Sequence, residues 1–268
     1  TILPPPPVES SVIIDHSCIY LDSISDQLIK LAKQKLHIAY GHTQWGGQII
    51  EGMEGLILFK GSLYDFTDGG AGGALDLRSS PFSGAYDLGN PDRTAWADAT
   101  RAYLDASPDI NVVMWSWCSE ASTATVEDID TYLDLINSLE TEYPEVRFVY
   151  MTGHLNGTGL TGVLHLRNEQ IRAFCRNNNK ILYDFEEIES YDPDGIYYGD
   201  KILNAACDYD SDGDGLRDAN WAIQWQDLHT QGIDWYICHA YNTQPLNANQ
   251  KAYAAWWLWA RLAGWDGQ

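Results

Sequence analysis

At 268 residues the chain has room for one large domain or two small ones. A net charge of −22 excludes the clustered Lys and Arg that nucleic acids and anionic membrane surfaces require. Apolar content is ordinary and aromatics are numerous, with 11 Trp and 16 Tyr, yet no apolar run reaches the roughly 18 residues of a membrane span.

In chain order, Pro4 to Pro7 sit in an extended leader over residues 1–15, ahead of a single domain over 16–268. Such an opening suits a mature secreted chain or a linker from a neighbouring module. Ser25–Lys35 predicts a helix, with Leu28, Ile29 and Ala32 on one face. Leu36–Gly41 is a short apolar strand. It gives way to His42-Thr43-Gln44-Trp45 and the pair Gly46-Gly47, before a helical stretch begins near Ile49. The Gly-rich run Asp68–Gly73 has the look of a phosphate loop, but no Lys-Ser/Thr follows it. Thr94–Leu104 is helical, and Ile110–Trp115 is a second strand ending in Ser116-Trp117-Cys118-Ser119-Glu120. Thr125 and Asp128 approximate a capping box for a helix carrying Ile129, Leu133, Ile136 and Leu139. Val146–Met151 is a third strand, ending Thr152-Gly153-His154. A helix over His165–Arg176, a strand over Lys180–Tyr183 and a Trp-rich helix over Asn249–Leu262 complete the pattern. Trp256, Trp257, Trp259 and Trp265 on and after that helix read as core and closing surface.

Strands alternating with helices predict an α/β fold, a parallel sheet covered on both faces in three α/β/α layers. Three strand ends then share one edge: Gly41–Trp45, Trp115–Glu120 and Gly153–His154. Such sheets bind ligands outside the carboxyl ends of their strands.

The run from Asp208 to Asp218 is the most specific motif. Asp208, Asp210 and Asp212 followed by Gly213 match the opening of a calcium loop. Asp214, Leu216 and Asp218 are its further ligand positions, and Ala219 stands where a closing Glu belongs. A structural Ca²⁺ tying a long insertion is the expectation. Thrombospondin-type and dockerin loops resemble it, which fits an extracellular setting. The five cysteines are an odd number without CxxC, and Cys207 and Cys238 flank the acidic loop closely enough to suggest a bridge. His42, His154 and His239 would supply a metal site if brought together, although no HxxxH or HxH spacing supports one.

Taken together, LHIAYGHTQWGGQ, VVMWSWC, FVYMTGHLNGTG, LYDFEEIESYDPDG, CDYDSDGDG and QPLNANQKAYAAWWLWARLAGW resemble a family of secreted bacterial proteins with an SGNH (GDSL-type) hydrolase fold. The resemblance runs from about Cys18 onward and implies a single SGNH-like domain, in many members part of a larger extracellular protein. Family members are mostly esterases, often of acetylated polysaccharides. They carry a Ser just after the first strand, a His shortly before the last helix, and an oxyanion hole of backbone amides, a Gly and an Asn. The relatives' first loop reads Gly-His-Thr-Ser-His-Gly-Ser-Gln and their late segment Ala-Ala-His-Ser-Gln-Pro-Leu-Asn. Here Gln44 stands at the Ser position and Asn242 at the His position. Trp45 and Gly47 replace the neighbouring His and Ser, Ser119-Glu120 replace an expected Gly-Gln, and His239 sits where many members carry the triad Asp.

An amide is no nucleophile at neutral pH and Asn moves no proton, so Ser-His acyl transfer is missing its two working groups. Thr43 is the one hydroxyl left in the first loop and a possible displaced nucleophile. The resemblance places His42, Thr43, Gln44, Trp45, Gly46, Trp117, Tyr241 and Asn242 around the former cleft as ligand-binding residues. Aromatic faces with amides and carboxylates suit a carbohydrate ring or another small-molecule ligand. The alternative is an active hydrolase rebuilt on Glu120, His154 and His239, in which Glu120 needs a second carboxylate; Asp227 and Asp234 are nearest in the late region. A third reading is an engineered cleft on an SGNH esterase, since the departures cluster there.

Overall fold

The structure, a computed structural model, describes residues 10–268. The Pro4–Pro7 leader lies outside the described residues. Seven parallel strands form one sheet: β1 (Val12–Ile14), β2 (His37–Gly41), β3 (Phe66–Thr67), β4 (Leu75–Ser79), β5 (Val112–Trp115), β6 (Arg147–Met151) and β7 (Ile181–Tyr183). Their spatial order is β1-β7-β6-β5-β2-β4-β3. The domain therefore begins before residue 16, because Val12–Ile14 pair with Ile181–Tyr183 as an edge strand.

Side chains alternate across the sheet, as period two demands. Ile38, Tyr40, Val112, Met114, Val149 and Met151 point to one face, where α1 (Asp26–Lys35), α2 (Gly47–Lys60), α6 (Phe185–Glu189) and α8 (Pro245–Ala263) pack. Ala39, Val113, Trp115, Phe148 and Tyr150 point to the other, under α3 (Ala95–Ala106), α4 (Val126–Glu142) and α5 (Val163–Asn177). These are the three layers. The Thr125–Asp128 capping box opens α4, with Asp128 N–H donating to Thr125 Oγ1 at 3.1 Å and Thr125 N–H to Asp128 Oδ2 at 2.8 Å. Helix α8 starts at Pro245, four residues before the sequence pattern suggested, since Pro suits a first helical turn whose N–H groups need no partner. Trp256 and Trp259 are fully buried in the core, and Trp257 packs at a tilt against Trp265.

Between α6 and α8 an insertion builds its own small core around Leu203, Cys207, Tyr209 and Trp221. It holds a two-stranded ladder, β8 (Asp208–Tyr209) and β9 (Ala219–Asn220), followed by α7 (Trp221–Leu228). All five cysteines are free. The suggested Cys207–Cys238 bridge is absent because the two sulfurs turn apart: Cys207 Sγ meets Thr243 Oγ1 at 3.5 Å, and Cys238 Sγ faces Asn249 and the Pro245 carbonyl.

Taken in chain order, the five central strands run 2-1-3-4-5, and the order reverses between β2 and β5. At such a reversal the flanking loops diverge and leave a crevice. The loops leaving β2 and β5 are Gly41–Gly46 and Ser116–Glu120.

Candidate functional site

The β2 loop turns sharply. Gln44 takes a left-handed φ of 37°, as does Asn242 at 51° in the loop before α8. Non-glycine residues held there store strain, which concentrates at functional sites. Gly46 is required by packing: a Cβ would collide with Ser116 on the β5 loop. The two loops therefore touch at Gly46 and Ser116.

On one side of the crevice Cys118 Sγ donates to Gln44 Oε1 at 2.9 Å. Thr43 Oγ1 donates to Asp87 Oδ2 at 2.7 Å, and Gly89 N–H donates to Asp87 Oδ1 at 2.9 Å. Asp87, Cys118 and Glu120 each bring a ligand-type atom within 4.8 Å of the others. Glu120 Oε2 is buried there without a hydrogen-bond partner. Burial, reinforced by the Asp87 charge, raises the Glu120 carboxyl above its usual range. Burial and the same carboxylates raise the Cys118 thiol, consistent with its acting as a donor. With the thiol protonated, Cys118 is poorly set up as a nucleophile.

On the other side Trp45 stacks on His154, with ring centroids 4.2 Å apart and planes 10° from parallel. Tyr241 meets the Trp45 ring edge-on at 5.6 Å. His154 Nδ1 donates to the Leu155 carbonyl at 2.9 Å, and burial lowers its proton affinity. His42 Nε2 contacts Ser79 Oγ at 2.8 Å while its Nδ1 is buried and unpartnered; burial pushes its pKa down to about 4.

Gln44, Trp45, His154 and Tyr241 thus come together, with Thr43 and Glu120 linked to them through Asp87 and Cys118. Two residues, Trp117 and His239, do not follow the sequence reading. Trp117 is buried, its Nε1–H donating to the Met151 carbonyl at 3.1 Å and its ring packed on Tyr132, so it belongs to the core beneath α4. His239 is three-quarters exposed and its Nδ1 lies 2.6 Å from Glu51 Oε1, which separates it from the proposed trio with Glu120 and His154. Asn242 is exposed on its strained turn. Because His42, His154 and His239 face Ser79, Leu155 and Glu51 respectively, the histidine metal site is not assembled.

Sequence reading missed Asp87, Gln48, Glu51, Glu189 and Lys251. Glu51 accepts the Tyr241 N–H at 2.8 Å through Oε2, and Gln48 Nε2 donates to the Tyr241 carbonyl, so α2 fixes the late loop at both ends of that residue. Lys251 carried a usable signal, a single cation inside the apolar helix AYAAWWLWA and its approach. Asp87 carried none.

In the acidic loop Asp210, Asp212 and Asp214 gather their carboxylates within 4.8 Å of one another. Asp208 stays outside this group. It lies in β8, accepting from Asn220 Nδ2 at 2.8 Å and Asn204 Nδ2 at 3.2 Å. Asp218 closes the loop by accepting Ser211 N–H at 3.0 Å. The frame is therefore Asp210, Asp212, Asp214, Gly215, two residues later than the sequence suggested. Gly213 and Gly215 N–H groups donate to the two Asp210 oxygens at 2.7 and 2.8 Å.

Among the described residues no helix is long and apolar enough to cross a membrane. No family model matches the chain, and neither a curated protein nor a solved structure matches it.

Proposed function

We propose that this chain is a secreted SGNH-hydrolase-like protein, stabilised by calcium, that binds a carbohydrate in the crevice between β2 and β5 without Ser-His ester hydrolysis. One observation carries the reading: the half-buried Trp45–Tyr241 wall stands beside the Thr43–Asp87, Gln44–Cys118 and Glu120 polar set. A sugar ring is apolar on its faces and polar around its rim, and this pairing of surfaces complements both. In its support, the 2-1-3-4-5 order is compatible with an active site at this switch point, and two of the six left-handed non-glycine residues among the described residues are Gln44 and Asn242, the positions the resemblance gives as substituted. Glu120 and the exposed Gln44 bond at the rim, Asp87 holds Thr43 in place from beneath, and Trp45 with Tyr241 covers a face. The net charge of −22 argues for a neutral ligand over nucleic acid or an anionic membrane. Other modules of a larger extracellular protein are the proposed neighbours.

A second reading has a specific observation in its favour. Asp87 is a second carboxylate beside Glu120 of the kind a rebuilt hydrolase requires, in the place the sequence offered Asp227 or Asp234. Two like charges so close do not both ionise freely, and burial with the Asp87 charge favours a proton on Glu120 that it can give.

Calcium fits the acidic loop on its donor set: three converging carboxylates, with the Leu216 carbonyl and Asp218 at the following positions of the frame. There it would supply positive charge that draws the turn together. Calcorimetric protection is simple to read: added Ca²⁺ raises the thermal midpoint, and Asp212→Asn/Asp214→Asn abolishes the rise.

Titration calorimetry against neutral xylo-, chito- and manno-oligosaccharides, acetylated and bare, tests the binding reading. Saturable binding weakened about tenfold or more by Trp45→Ala supports it. Heats absent across the panel, or unchanged in Trp45→Ala, overturn it.

A further inference from the structure

Beneath the aromatic wall lies a charge pair that the crevice does not display. Lys251 on α8 and Glu189 at the end of α6 are 0% and 1% exposed, with Nζ 2.6 Å from Oε1. Burying an ammonium and a carboxylate is costly even when they pair, and well-packed apolar residues often serve stability as well or better. A role in specifying geometry is the alternative to examine, and here the pair has two arms. Lys251 Nζ also donates to Gln48 Oε1, and Gln48 Nε2 donates to the Tyr241 carbonyl. The second oxygen of Glu189 accepts the Leu155 N–H at 2.8 Å, and the Leu155 carbonyl accepts His154 Nδ1–H. One arm ends on Tyr241 and the other on His154. These are the two rings that Trp45 touches.

We infer that Lys251 is a positioning residue for the crevice: through Gln48 and Glu189 its ammonium sets Tyr241 and His154 against Trp45. The consequence for ligand affinity rests on the carbohydrate reading, whereas the geometric role does not. Phe185 covers the ammonium at 4.2 Å from its ring centroid, and no solvent reaches it, so Lys251 acts only through its partners.

The test separates geometry from fold stability. Glu189 raises and Lys251 lowers the proton affinity of His154, while burial is the dominant cause of its depression. Removing both charges in Lys251→Met/Glu189→Met takes away more of what raises His154 than of what lowers it, so the direct effect is downward and a rise reads lost burial of the imidazole. NMR titration of ¹⁵N-His protein follows it. The parent His154 titrates below the ordinary 6.5. In the double variant the midpoint rises by half a unit or more as water reaches the ring, while the thermal midpoint stays close to that of the parent. A folded double variant with the parental His154 midpoint overturns the inference. Gln48→Leu cuts only the Tyr241 arm and leaves the ion pair in place. It loses the Trp45–Tyr241 ring contact in NOE spectra and keeps the His154 titration; retention of that ring contact also overturns the inference, whether or not the double variant folds. Any oligosaccharide of the panel bound by the parent binds the double variant about tenfold more weakly. A parent that binds none of them contradicts the carbohydrate reading alone, and the imidazole titration still decides the role of Lys251.

Discussion

Two stretches of the same sheet edge treat polar groups in opposite ways. Beyond β6 and β7, Arg172 is buried with every arm engaged: Nε and Nη2 donate to Asp184 at 2.6 and 2.7 Å, Nη1 donates to Glu169 at 2.7 Å, and Nη2 lies 2.9 Å from Glu186. Thr152 Oγ1 donates to Asp184 at 2.9 Å and accepts the Glu186 N–H at 3.1 Å. Beyond β2 and β5, His42 Nδ1, Ser116 Oγ and Glu120 Oε2 are buried without partners, and Gln44 is held in a left-handed turn. Buried polar groups are normally satisfied, so unsatisfied ones beside strained backbone mark where a molecule keeps its chemistry open. The first region spends its charges on the fold, with Glu186 Oε2 held by the Arg172 charge alone, whereas the second leaves His42, Ser116 and Glu120 atoms with no partner of either kind.

The largest expected effect lies in the closed region. Arg172→Met strands the buried Asp184 and Glu186 carboxylates and costs about 3–5 kcal/mol in chemical denaturation, as broken buried pairs do. A loss under about 1 kcal/mol would erase the contrast between the two regions.

Next comes pH, where the two regions run in opposite directions. His42 in the crevice has a native pKa of about 4 against an ordinary 6.5, so below pH 6.5 the unfolded chain takes up a proton that the native site refuses. Stability is then flat above 6.5 on this account and falls by about 3 kcal/mol between 6.5 and 4. His165, held up chiefly by its bond to Glu186, has the opposite sign: its contribution is complete below 6.5 and is lost as pH rises through its raised value. Denaturation midpoints across pH 4–8 for His42→Gln and His165→Gln separate the two. A slope unchanged by His42→Gln contradicts the crevice assignment.

The smallest effect is also the most informative about the open region. Glu120→Gln removes one of two crowded acids and is expected to leave stability unchanged or raise it by about 0.5–1 kcal/mol. A loss of 2 kcal/mol or more, on the order of a buried partner being stranded, would make Glu120 a structural residue like Asp184.

The same division governs how much was legible in the sequence. The strands beginning at Leu36, Ile110, Val146 and Lys180 announced themselves as apolar runs because both faces of the sheet are covered. Strand β4 did not, since its Leu75-Asp76-Leu77-Arg78 carries two charges whose mutual pairing at 2.9 Å exists only in three dimensions. The loops of the crevice were legible as strand ends, but Asp87, Glu51 and Lys251 reach it from distant segments, and no local pattern encodes that convergence. Trp117 misled because adjacency to a strand end does not fix which way a side chain points. In the acidic loop two overlapping frames, Asp208 to Gly213 and Asp210 to Gly215, satisfy the same pattern. Pairing of Asp208 with Asn220 in the β8–β9 ladder favours the later one.

The proposed function turns on Ser-His ester chemistry being absent at Gln44 and Asn242. The most direct measurement is hydrolysis of p-nitrophenyl acetate, with calcium present, by the parent, by Glu120→Gln and by Gln44→Ser/Asn242→His. The account predicts no turnover by the parent above the solvent rate and measurable turnover by the double variant. Clear turnover by the parent that Glu120→Gln abolishes would contradict it, and would assign the crevice to a working acid pair of Glu120 and Asp87.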